Sequence, residues 1–105
     1  MKAESRQISS TSGIRQQVLD EMIGLAEKYG IKRVKLFGSR ARGDYKRTSD
    51  IDLAVQGGDI PRFRLDMEEE TSTLLKFDIV DLDSEMQDEL RESICREGKI
   101  LYEKI

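Results

Sequence analysis

One six-residue run constrains the fold of this chain more than any other. Ile51, Leu53 and Val55 alternate with Asp50, Asp52 and Ala54. That is the period-two pattern of a strand with one face in a core. The other face carries two carboxylates, two residues apart, pointing the same way. Asp is disfavoured in strands, and two on one face repel unless something positive lies between them. The pattern calls for a sheet that is apolar on one side and handles cations on the other.

The flanking segments supply elements to cover the apolar side. Met1 to about Ser10 is polar, and residues 1–11 read as a flexible N-terminus ahead of one folded domain at 12–105. Ser12 is placed to cap a helix running to about Tyr29, with Ile14, Val18, Met22, Leu25, Ala26 and Tyr29 at helical spacing. Gly30 stops it. Val34 to Phe37 reads as a short strand ended by Gly38, and Gly57-Gly58 closes the strand that carries Ile51. Asp59 caps a second helix with Pro61 in its first turn. Phe63, Met67, Leu74 and Leu75 are its expected buried stripe. Phe77 to Leu82 is a third strand. Ser84 and Gln87 have the spacing of a capping box before a third helix, with Met86, Leu90 and Ile94 on its inner face. Gly98 ends that helix, and Lys99 to Tyr102 forms a last strand. The expected class is α/β (α+β), a mixed sheet of about four strands with helices packed on it.

Composition narrows the chemistry. With 105 residues the chain makes one small domain, so a large substrate must bind at its surface or through a partner. There is no His, which removes the commonest general base and transition-metal ligand. Cys95 is the single cysteine, so no internal disulfide forms; it is expected to pack against the core. Met22 and Met67 are expected in the core as well. No apolar run approaches the ~18 residues of a membrane span. The start of the chain lacks a signal-peptide pattern, so the cytoplasm is the expected compartment. Net charge is −3. Yet Lys32, Arg33, Lys35, Arg40, Arg42, Lys46 and Arg47 cluster around Gly38-Ser39, with Asp44 the one acid among them. A weakly acidic chain with one basic segment suits a local phosphate site better than general nucleic-acid binding.

Two further features join the acidic strand. Gly38-Ser39 follows a strand and precedes Asp50 by ten intervening residues. Glycine lets backbone approach a phosphate, the Ser39 hydroxyl and nearby amides can donate to its oxygens, and Arg40 and Arg42 can neutralise a triphosphate. The spacing is not that of a Walker A loop. Asp78, between Phe77 and Ile79, sits inside an apolar strand and is the favoured third carboxylate; Asp81 and Asp83 lie nearer the strand exit. Magnesium takes one or two carboxylates plus substrate phosphates, and two such ions can serve both oxygens of an in-line displacement. Carboxylates this close repel, so at least one should have a raised pKa.

Gly38-Ser39-Arg40-Ala41-Arg42-Gly43 followed by Ser49-Asp50-Ile51-Asp52-Leu53 resembles the signature of the DNA polymerase β-like nucleotidyltransferase superfamily. The chain is most similar to the minimal (MNT-domain) members. Phe77-Asp78-Ile79-Val80 and the ending Arg96-Glu97-Gly98-Lys99-Ile100-Leu101-Tyr102 look alike too. The resemblance implies the nucleotidyltransferase fold. It implies Gly38, Ser39, Arg40, Arg42 and Ser49 at the nucleotide, with Asp50, Asp52 and Asp78 as catalytic ligands of magnesium, two ions being expected. It further implies ATP as substrate, AMP transfer to a tyrosine hydroxyl of a partner HEPN-domain toxin, and an antitoxin role. No nucleic-acid template is expected, and a homodimer or hetero-oligomer is compatible with the short chain. Two other readings stay open: an antitoxin that blocks its partner by contact alone, and a transferase acting on a small-molecule hydroxyl.

Overall fold

A computed structural model describes residues 11–104. The flexible segment expected over Met1 to Ser10 lies outside the described residues. The elements are α1 (Gln16–Lys28), β1 (Arg33–Phe37), α2 (Ser39–Arg42), β2 (Ile51–Gln56), α3 (Ile60–Glu70), β3 (Phe77–Asp81), α4 (Asp88–Glu97) and β4 (Lys99–Glu103). The four strands form one sheet in the order β3-β2-β1-β4. β1 is antiparallel to both β2 and β4, while β2 and β3 run parallel, joined through α3. The mixed sheet expected from sequence is the observed one.

The principal core lies on the face of the sheet covered by α1 and α3. Val18, Leu19, Met22 and Ala26 from α1 and Ile60, Phe63 and Met67 from α3 enclose Val34, Leu36, Ile51, Leu53, Val55 and Ile79. The opposite face holds a smaller cluster of Phe37, Ala54 and Ile94, backed by Val80, Leu82, Met86 and Leu90, where α4 packs. α4 therefore covers part of the face that carries the carboxylates and leaves the remainder open.

Helix ends show where local pattern yielded to tertiary contacts. α1 begins after Arg15, not at Ser12; the buried Ser12 hydroxyl accepts the Ile14 amide instead, across Gly13. At the other end the Gly30 amide donates to the Glu27 carbonyl and the Ile31 amide to that of Ala26. This is the double bond pattern that a left-handed glycine permits, and Gly30 has φ 66°. Asp59 caps α3 as expected, accepting from the Arg62 amide. α3 stops at Glu70, so Leu74 and Leu75 are not on its buried stripe. Leu75 is partly buried in the following loop and Leu74 is fully exposed. The Ser84–Gln87 capping box does not form: Ser84 donates its hydroxyl to the Asp81 carbonyl, and α4 starts later, at Asp88. Cys95, expected to pack, is exposed.

Candidate functional site

β2 sets the geometry. Asp52 pairs in register with Phe37 of β1 on one side and with Asp78 of β3 on the other. The parallel crossover thus brings a carboxylate 26 positions away in sequence to the strand position beside Asp52. Asp50 stands one residue before β2 and is exposed. Asp78 is exposed as well, which corrects the expectation of a buried acid: Phe77 and Ile79 flank it in sequence but face the other side of an edge strand. Asp52 is the half-buried member of the three. Its pKa is raised, first by burial, then by the negative charges of Asp78 and Asp50, with Arg42 pulling the other way. The expected electrostatic coupling of the three carboxylates is therefore present at Asp52.

The Gly38 turn closes onto this carboxylate. Gly38 has φ 75°, and a Cβ placed on it would lie 2.2 Å from Oδ2 of Asp52. A side chain there would displace the Asp52 carboxylate, so the turn is glycine for two reasons at once: left-handed backbone and contact with the acid. The turn leads directly into α2, whose first residue is Ser39. Among the described residues no hydrogen bond engages the Ser39 hydroxyl, which is left available for a phosphate oxygen.

The basic residues divide into two kinds. Arg42 is exposed at the rim and pairs with Asp44 at 3.2 Å and Glu97 at 2.9 Å. Arg42, then Ser93, holds the Glu97 carboxyl below its ordinary range. Arg40, expected at the phosphates, does something else. It is only 2% exposed. Its guanidinium donates to the carbonyls of Ser12, Lys46, Arg47 and Ser49 at 2.9–3.4 Å. The Tyr45 ring lies 4.7 Å from it. Its N–H groups are thus directed at backbone carbonyls and hold the loop that delivers Asp50, rather than a ligand. Ser49, also expected at the nucleotide, accepts the Lys46 amide through its hydroxyl and pins the same loop.

A cleft lies beside Asp50. It is lined by Thr48, Asp50, Leu74, Leu75 and Lys76, between the loops that enter β2 and β3. Its one sequence signal was Leu74, an apolar residue beyond the true end of α3.

The donor set suits a hard divalent cation, because all three candidate ligands are carboxylates. Among the described residues no three Cys, Asp or Glu side chains converge into a closed metal cage. Such a cage is not what magnesium requires, since it binds through one or two carboxylates and completes its shell with phosphate oxygens and water. Among the described residues no helix is long and apolar enough to cross a membrane.

Residues 20–105 match the family described as polymerase beta, nucleotidyltransferase. The chain is 31% identical over 77 residues to the protein adenylyltransferase MntA of Thermococcus cleftensis, covering 70% of this chain and 77% of that one. A Methanocaldococcus jannaschii relative, provisionally named a protein adenylyltransferase, is 37% identical over 59 residues. That match covers 50% of this chain and 63% of the relative, so it spans less than two thirds of the relative's length. The fold superposes on a crystal structure of a toxin–antitoxin with AMP-PNP at a TM-score of 0.66 and 26% identity, covering 82% of this chain and 73% of that one. The chain belongs to the polymerase beta nucleotidyltransferase family.

Proposed function

We propose that this nucleotidyltransferase moves AMP from ATP to a tyrosine hydroxyl of a HEPN-type toxin and so acts as its antitoxin in the cytoplasm. The observation that carries the reading is the register of Asp52 beside Asp78, with Gly38 seated against the Asp52 carboxylate. Support also comes from the similarity to an adenylyltransferase and to a toxin–antitoxin structure with AMP-PNP.

Each residue has a role in this scheme. Gly38 and Ser39 receive the phosphates, with Arg42 at the rim. Asp50, Asp52 and Asp78 would hold magnesium, one or two of them to an ion, and the metal would supply positive charge at the reacting phosphate. Arg40 and Ser49 fix the loop that presents Asp50. The acceptor oxygen bonds to the α-phosphorus, the bond to the β-phosphate oxygen breaks, and pyrophosphate leaves toward Gly38-Ser39. Asp78, exposed at the sheet edge, takes the hydroxyl proton in this scheme. Positioning and charge neutralisation do most of the work.

The test is to incubate the protein with ATP, magnesium and the protein encoded beside it. Mass spectrometry should find that partner heavier by one AMP unit or more. Asp50→Asn/Asp52→Asn should form the complex without the adduct. A partner silenced by the double variant as well as by wild type would mean neutralisation by contact.

A further inference from the structure

We propose that the cleft between residues 48–50 and 74–76 is the acceptor subsite, and that it seats a segment of the partner protein carrying the receiving hydroxyl. An apolar side chain of that segment would lie on Leu74, and an acidic one would face Lys76. This rests on the adenylyl-transfer reading above.

Direction of attack comes first. In-line displacement puts the entering and leaving oxygens on opposite sides of the phosphorus. Gly38 and Ser39 stand at the end of β1, which flanks β2 on one side, while β3 flanks it on the other. If pyrophosphate departs toward the Gly38 turn, the hydroxyl enters from the β3 side. The cleft lies on that side and contains Asp50 itself.

Presentation comes second. Leu74 is wholly exposed, yet its loop is firmly held two residues earlier. The Ser72 amide and hydroxyl donate to the two carboxylate oxygens of Glu21, at 2.8 and 2.6 Å. The Ser72 carbonyl accepts from Arg15, and its hydroxyl accepts from Gln17. The same contacts hold the Glu21 carboxyl below its ordinary range. Just past Leu74, the Leu75 amide donates to the Thr73 hydroxyl. A large apolar side chain displayed by a loop ordered in advance loses little entropy on being covered.

Charge comes third. Lys76 and Asp50 both line the cleft; Asp50 is committed to magnesium in the reading above, while Lys76 is exposed and among the described residues forms no ion pair. An apolar patch rimmed by one unpaired cation matches an apolar side chain beside a carboxylate. A bare nucleobase carries no negative group to satisfy that rim.

The experiment measures two quantities in parallel. AMP transfer to the protein encoded beside this one gives KM and kcat for the acceptor, and titration of a fluorescent ATP analogue with magnesium gives nucleotide affinity. Leu74→Asp should fold normally, because the native side chain is fully exposed. It should raise KM for the acceptor about tenfold, as loss of an interface anchor does, with nucleotide affinity and saturated kcat unchanged. Lys76→Glu should raise KM in the same direction by less. Unchanged acceptor KM in Leu74→Asp, or a parallel loss of nucleotide affinity, overturns the assignment. Wild type that binds ATP but labels nothing overturns the adenylyl-transfer reading, and this inference with it.

Discussion

Along β2, Ile51, Leu53 and Val55 are completely buried beneath α1 and α3, while Asp52 on the alternate face stays half open beside Asp78. One strand thus belongs to two environments. The first face contributes stability, since fully burying one such side chain is worth about 1.5–3 kcal/mol. The second face opposes folding at neutral pH, because Asp52 is pressed between burial and two like charges. The site is tolerable because the other face of the same strand is so well packed.

That contrast can be broken from either side. The largest effect should come from Asp50→Asn/Asp52→Asn, which should cut AMP transfer by about 1,000-fold, the scale of losing key electrostatic groups, without lowering the melting temperature. A variant that unfolds would show the two faces to be energetically inseparable. Next, Leu53→Ala should cost about 3 kcal/mol in urea unfolding through the cavity it leaves; a cost near zero would remove the claim that stability resides on the apolar face. Arg40→Gln should cost about 2 kcal/mol by stranding buried carbonyls and should make residues 44–49 sensitive to protease. Arg40→Lys should restore little, since an ammonium lacks the planar fan of donors. The smallest effect is expected from Asp52→Asn in metal-free protein. The raised pKa means the folded state binds more protons than the unfolded state, so wild-type stability falls as pH rises through the carboxylate range. The variant should therefore melt higher than wild type at neutral pH and lose that advantage in acid. Equal melting curves at every pH would refute the strain at Asp52.

The same contrast explains what could be read from the sequence. The β2 pattern was legible because period-two alternation is local, and the Asp59 cap and the Leu90–Ile94 pair were legible for the same reason; Met86 packs on the same cluster but stands ahead of α4, which begins at Asp88. Asp78 was rightly placed near Asp52, but its exposure depends on β3 being an edge strand, which no local pattern reports. Arg40 read as a phosphate ligand because its partners are carbonyls, and carbonyls leave no trace in residue identity. Leu74 and Leu75 continued a helical spacing past Glu70. There the Thr71 hydroxyl bonds back to the Met67 carbonyl and Glu21 captures Ser72, so the chain turns away. Ser84 had the right spacing for a cap, but its amide and hydroxyl both donate to the Asp81 carbonyl in a turn, and α4 begins only at Asp88.

β3 has consequences for how the molecule loses function on heating. It is hydrogen-bonded to a single neighbouring strand, and on its flank Arg64 reaches the Ile79 carbonyl. Peripheral strands of this kind open at a lower free energy than the core they lean on. When β3 lifts, Asp78 goes with it, while β1 and β2 remain paired under α1. The reacting groups are therefore shared between two cooperative units, and heat inactivation should precede the melting of the core.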